Sequence, residues 1–233
     1  MKTKHILITL SSLALLGCST GTTITPSSST NLIAPKGYGI IHTGGHAWLD
    51  RNLGATRVAL SPTDSKAYGD LYQWGRKADG HQKRHSATTA KPVNSLHVPH
   101  AKFITASDFS DGSKPPRSWV KGVDTSKLWS SSGKANNGVC PKGWSVPTDK
   151  DFEDLDIQNV VDGFKKLKLT AGGVRANSTG KIMQKNTHGY YWTSNSCEGD
   201  KGEFPHNMRL APKSADRRRN NIAAGLSVRC VKR

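Results

Sequence analysis

An apolar run that stops at a cysteine decides where the folded part of this chain begins. Lys2 and Lys4 precede a run from Ile6 to Leu16, which closes as Leu15-Leu16-Gly17-Cys18. A basic start, a short apolar core and small residues at its end make a secretory signal, and the core is too short to span a bilayer. Residues 1–17 therefore drop out of any mature fold. What remains matures outside the cytoplasm, where disulfides form and persist.

A cysteine standing where the small-residue cleavage site belongs resembles the lipobox of bacterial lipoproteins. The resemblance implies that the Cys18 thiol is acylated, that the signal is cut before it, and that Cys18 becomes a lipidated, palmitate-bearing N-terminus. Ser19 follows, and the lack of Asp there resembles sorting to the outer membrane, on its periplasmic or cell-surface face. No other stretch is apolar enough to cross a membrane, so the acyl chains are the one anchor expected. Residues 19–35 (STGTTITPSSSTNLIAP) carry no charge and are rich in Ser, Thr and Pro. Such a segment buries too little surface to order itself and reads as a flexible tether, holding the domain about 20–25 Å from the lipid.

Beyond the tether, apolar residues are sparse. Hydrophobic types make up 34% of the chain and glycine occurs 23 times, which predicts a loop-rich domain with a modest core rather than a helical bundle. The length suits one sizeable domain or two small ones. The net charge is +17, and Lys2 and Lys4 are the only charges in the signal, so the mature part stays strongly basic. That balance favours anionic partners such as lipopolysaccharide, teichoic or acidic glycans, nucleic acid or acidic proteins. It equally serves solubility, so it gives the sign of a partner without naming one.

Local patterns divide the rest. The alternation in GYGIIHTGGHAWL (37–49) predicts two short strands around Thr43-Gly44-Gly45. Residues 75–135, rich in Lys, His, Ser and Pro and broken by Pro115-Pro116, read as a long surface loop or insertion. The clearest helix starts at Thr148, which with Asp151 resembles a capping box, and Phe152, Leu155, Val160 and Phe164 extend an apolar face to about residue 165. Asp149, Asp151, Glu153, Asp154 and Asp156 crowd its start while Lys165, Lys166 and Lys168 follow its end, an order that complements the helix dipole. These carboxylates lack the glycine turn of a calcium loop, so no metal is assigned to them. Strand candidates follow at 172–175, 189–193, 207–210 and 225–231. In the last, Leu226, Val228 and Cys230 alternate with Ser227, Arg229 and Val231, which predicts one buried face. One helix followed by short antiparallel strands reads as α+β.

Six blocks then stand in a familiar order: WLDRNLGATR (48–57), YGDLYQWGR (68–76), CPKGWSVPTDKDFEDL (140–155), GGVRANSTG (172–180), GYYWTSNS (189–196) and GLSVRCV (225–231). Together they resemble the Fibrobacter succinogenes major paralogous domain of exported bacterial proteins, which is related to the C-type lectin-like fold. Val146-Pro147-Thr148 and the acidic, aromatic helix after it are also similar to formylglycine-generating-enzyme-like domains. The resemblance implies a domain over 36–233 with an insertion at about 76–135, closed by paired terminal strands. It also implies a bridge from Cys140 to Cys230, which leaves Cys197 odd. Trp48, Trp74, Trp144 and Trp192 would supply buried area to a loop-rich core rather than stack on sugars.

The chemistry-bearing motifs point away from catalysis. The strings Glu-Pro-Asn, Gln-Pro-Asp and Trp-Asn-Asp of calcium-dependent sugar binders do not occur, and neither do HExxH, a P-loop or a dinucleotide fingerprint. His97 and His100 stand in a Pro-broken loop without an accompanying acid and read as surface histidines, so neither a metal nor a cofactor is expected. Two basic patches remain as candidate ligand contacts. One is Arg76, Lys77, Lys83 and Arg84; the other is Arg217, Arg218 and Arg219 with Arg209 and Lys213. Both suit phosphates or sulfated sugars, although no aromatics interleave with them as single-stranded nucleic acid would require. The chain thus reads as a lipid-anchored binding module for an anionic glycan, envelope polymer or protein. The alternative is an accessory or structural subunit of an envelope assembly such as a pilus or secretion machine.

Overall fold

A computed structural model describes residues 32–107, 117–126, 128–129, 138–196 and 204–232. The signal, Cys18, Cys197 and most of the tether lie outside the described residues.

The first hairpin forms where the alternation places it. Strands β1 (Ile40–Thr43) and β2 (His46–Leu49) pair antiparallel from Ile40↔Leu49 to Thr43↔His46. The two-residue connection is Gly44-Gly45, with φ of +58° and +76°, a conformation that only glycine adopts freely and that matches the twist of the flanking strands. A final strand, β12 (Val231–Lys232), adds to the other side of β2 through Val231↔Trp48. The beginning and end of the domain therefore share one sheet.

Between them run three further strand groups. Strands β8 (Gly189–Ser196), β9 (Pro205–Leu210) and β10 (Ala215–Arg219) form an antiparallel sheet ordered β10-β9-β8. Strands β3 (Tyr72–Gln73), β11 (Gly225–Leu226), β6 (Val174–Arg175) and β7 (Ile182–Met183) form another, in the order β3-β11-β6-β7. A short parallel pair joins β4 (Thr88–Thr89) to β5 (Phe103–Ile104). Among the described residues two α-helices stand with these short, mostly antiparallel strands, an α+β, sheet-rich arrangement.

The helical region departs from the single helix expected over 148–165. Thr148 does cap it: its side chain accepts from Asp151 N, and the Asp151 carboxylate accepts from Thr148 N. The helix nevertheless ends after five residues as α1 (Asp149–Glu153). Asp156 turns left-handed at φ +45°, and Asn159 then starts α2 (Val160–Leu167) by accepting from Val161 N and Asp162 N. The apolar positions keep near-helical spacing across the break because both helices face one core. Trp48, Phe152, Leu155, Ile157, Val160, Leu167 and Tyr191 meet there, with the Trp48 and Phe152 rings 5.5 Å apart.

All four tryptophans expected in the core are buried, and so are Trp119 and Trp129. The last two lie in the stretch 75–135, read from sequence as a long surface loop or insertion, and they place part of it in the core. That stretch is irregular, but Phe103, Ile104 and Trp119 are fully buried. Trp119 Nε1 donates to Trp74 O at 2.9 Å, and Gln73 Nε2 donates to Ile104 O at 2.7 Å. Irregular backbone is tolerated inside a protein when its polar groups find partners in this way.

The closing run also differs from expectation, since both of its faces are buried. Arg229, only 1% exposed, donates to the carbonyls of Leu49, Leu167 and Lys168 and to Asn52 Oδ1. Burial draws its pKa down to about 10, so the guanidinium remains charged at neutral pH. Next to it, Cys230 is disulfide-bonded to Cys140, 90 residues earlier, with a Cα–Cα distance of 5.9 Å.

Candidate functional site

The capping of α1 fixes the centre of a groove. With Thr148 as the cap, Asp149 becomes the first helical residue, and its N–H is taken by Asn195 Oδ1 at the end of β8. Its carboxylate is then met from all three strands of the adjoining sheet. Thr193 Oγ1 of β8 donates to Oδ1 at 2.7 Å, His206 Nδ1 of β9 lies 2.6 Å from Oδ2, and Arg217 Nη1 of β10 lies 3.4 Å from Oδ2. Asp149 thus does more than complement the helix dipole: it ties α1 to the sheet.

Between α1, the 154–159 turn and β9–β10 this leaves a groove of about 320 Å3. Phe152, Ile157 and Met208 supply its apolar lining, and Thr193 and Asn207 its buried polar groups. Glu153 and Asp156 stand exposed at the rim. Asp216 and Arg217 form the wall on the strand side.

The second basic patch gathers on that wall. Arg217, Arg218 and Arg219 are exposed in succession on β10, an edge strand of its sheet among the described residues. Arg209, opposite Asp216 in the register, pairs with it through Nε at 2.8 Å and Nη2 at 3.2 Å. Arg218 reaches the same carboxylate at 2.6 Å. Lys213 is exposed in the turn between the strands. The structure therefore brings Arg209, Lys213, Arg217, Arg218 and Arg219 together on one hairpin.

The first patch does not assemble. Arg76 is fully buried; its guanidinium pairs with Asp79 at 2.7 Å and donates to Gln73 Oε1 and to the carbonyls of Lys102 and His100. Burial lowers its pKa, and no face of it is left for a ligand. Arg84 is half-buried, donating to Gly69 O and Gly172 O with its guanidinium 5.4 Å from the centre of the Tyr68 ring. Lys83 is exposed but paired with Asp70 at 2.9 Å, and Lys77 is exposed. Arg76 is corrected from a ligand contact to a structural cation, and Arg84 is largely spent on backbone carbonyls.

Beneath Arg76 lies a network that single residues did not announce. His81 is buried, accepting from Gln73 N through Nε2 at 3.0 Å and bonded to Asp79 Oδ1 through Nδ1 at 2.7 Å. Burial pulls the His81 pKa down to about 4, against the pull of Asp79. Burial pushes Asp79 upward, but the His81 hydrogen bond and the nearby Arg76 charge outweigh it and hold the carboxyl at about 2. This dyad joins β3 to the irregular stretch.

His97 is exposed and His100 half-buried, with His100 Nδ1 accepting from Lys102 N. Among the described residues no three His, Cys, Asp or Glu side chains are grouped to hold a metal ion, and no helix is long and apolar enough to cross a membrane. No protein-family model matches the chain, and no curated protein or solved structure matches it either.

Proposed function

We propose that the chain is a non-catalytic binding module of the bacterial envelope, held at the outer membrane by a lipidated Cys18 on the 18–35 tether. It engages an anionic glycan, lipopolysaccharide or another envelope polymer through the β9–β10 hairpin. One observation carries this reading: Arg217, Arg218 and Arg219 stand exposed in succession beside a groove, with Arg209 and Lys213 on the same hairpin and Asp216 the one carboxylate in 205–219. Such a cluster holds sulfates, phosphates and carboxylates by charge-assisted hydrogen bonds that weaken as salt rises.

We also read the fold as C-type lectin-like, of the Fibrobacter succinogenes major paralogous type. The pairing of Val231 with Trp48, the Cys140–Cys230 link and the buried tryptophans of the six blocks support that reading. The edge position of β10 favours a second reading, an accessory or structural subunit of an envelope assembly such as a pilus or secretion machine, because an open strand edge offers its backbone to a partner strand.

A binding screen of the full chain against acidic polysaccharides, nucleic acid and envelope proteins, at two salt concentrations, separates the two. Salt-sensitive glycan retention supports the first reading. A single stoichiometric protein partner without glycan retention supports the second.

A further inference from the structure

The alternation of β10 divides the basic hairpin between two faces of its sheet. Arg217 stands opposite Met208 and Arg219 opposite His206, on the face where His206 and Arg217 meet Asp149 of α1. Asp216 and Arg218 belong to the other face. There the row Tyr190, Arg209 and Asp216 runs straight across β8, β9 and β10. The register thus sets an aromatic ring beside the basic patch, which the linear order of residues does not.

The charges on this outer face do not cancel. Arg209 and Arg218 share the Asp216 carboxylate, each through Nε, at 2.8 Å and 2.6 Å. Asp216 is the one carboxylate in residues 182–196 and 204–219, so the strands leave one positive charge over on this face. The Arg218 side chain is 53% exposed, within reach of a ligand.

The aromatic end is held in place. Tyr190 and His188 are half-buried, their rings 18° from parallel with centroids 6.2 Å apart. Tyr190 OH donates to Gln184 Oε1, and Gln184 O accepts from Thr187 N and His188 N. Burial raises the Tyr190 pKa against the pull of Arg209 and Arg218, so the phenol is neutral at neutral pH.

An aromatic ring, one net positive charge and a carboxylate between two guanidiniums select among anions. A pyranose packs its C–H face on an aromatic ring, and its hydroxyls both donate to a carboxylate and accept from a guanidinium. Nucleic acid brings a phosphate with every residue, which Asp216 repels, and its bases stack on successive aromatics along a basic groove.

We propose that the outer face of the β8–β9–β10 sheet is a subsite for an acidic pyranose. The sugar ring lies on Tyr190, its carboxylate or sulfate meets Arg218, and its hydroxyls meet Asp216 and Arg209. The proposal rests on reading the hairpin as an anion-binding face and gives that reading a ligand class and a side. Arg218 touches the sugar, while Arg217 and Arg219 belong to the α1 face.

The test follows the Tyr190 and His188 ring signals of the full chain by NMR during titration with four probes. These are methyl β-glucuronide, methyl β-glucoside, acetate and uridine 5′-monophosphate. The glucuronide is expected to shift both signals saturably, with the glucoside and acetate at least about fivefold weaker. Either of those two binding as well as the glucuronide overturns the proposal, and so does tighter binding of the nucleotide. Ring signals that respond to no probe overturn it as well. Tyr190→Leu, read on His188, is expected to weaken glucuronide binding about three- to tenfold, and Tyr190→Phe, which keeps the ring, recovers most of it. The exposed Arg218→Ala should lose at least about threefold more than Arg217→Ala; equal losses contradict the assignment of faces. Heparin retention reads the hairpin charge separately. If the arginines govern retention but Tyr190→Leu leaves glucuronide binding unchanged, the subsite falls and the anion-binding face stands.

Discussion

Arg229 grips Asn52 with two hydrogen bonds, from Nε at 3.2 Å and Nη2 at 2.8 Å, across 177 residues of chain. Asn52 in turn donates through Nδ2 to Tyr68 O and Thr170 Oγ1, both at 3.1 Å. The first block, the end of α2 and the closing run are therefore fastened by one buried polar cluster. In a domain with so few apolar residues, such a cluster fixes which segments meet as much as the tryptophans do.

Removing that cation leaves the carbonyls of Leu49, Leu167 and Lys168 without their donor. Arg229→Met is expected to lower unfolding stability by about 3–5 kcal/mol, the range for breaking a buried charged network. Arg229→Lys recovers little, because a compact ammonium cannot reproduce the planar fork that spans these acceptors. Urea denaturation of both variants measures this. A loss under about 1 kcal/mol for Arg229→Met contradicts the role.

The bridge between Cys140 and Cys230 closes a long loop, and its separation of 90 residues sets its value. Restricting an unfolded loop of that size stabilises the fold by about 4–5 kcal/mol. Cys140→Ser with Cys230→Ser should show that loss in thermal or urea unfolding, and reduction of the wild type should reproduce it. Equal stability of the reduced and oxidised chains would count against it.

Much of this framework is legible in single segments and much is not. The Gly44-Gly45 turn, the Thr148–Asp151 box and the tryptophan core follow from local chemistry, which neighbouring residues display. The break at Asp156 is hidden because the apolar spacing continues through it and the signal lies in Asn159, an N-cap among polar residues. The burial of Arg76 and Arg229 is hidden for another reason: their main partners are backbone carbonyls, which every residue carries and none advertises. Asp149 reads as a dipole complement because its strand partners, Thr193, His206 and Arg217, lie 44 to 68 residues away.

Acid should act through His81. Its pKa is about 4 in the folded chain against an ordinary 6.5, so the unfolded chain takes up a proton first as pH falls. Stability is then full above about pH 6.5 and is lost as pH falls through it toward about 4. Asp79, held at about 2, adds a further loss as pH falls through the usual 3.8. Urea midpoints at about pH 7.5 and about pH 4.5 should differ in the wild type. His81→Gln, which keeps an acceptor for Gln73 N and does not titrate, should narrow the difference. An unchanged slope in that variant contradicts the role of His81.

The claim that the β9–β10 hairpin is the anion-binding face is tested most directly by retention on a heparin column at two salt concentrations. Arg217→Ala, Arg218→Ala and Arg219→Ala combined should elute the full chain at clearly lower salt than the wild type. Lys77→Ala with Lys83→Ala, drawn from the patch that does not assemble, should elute close to it. Unchanged retention of the triple variant, or an equal loss in the lysine pair, would contradict the account.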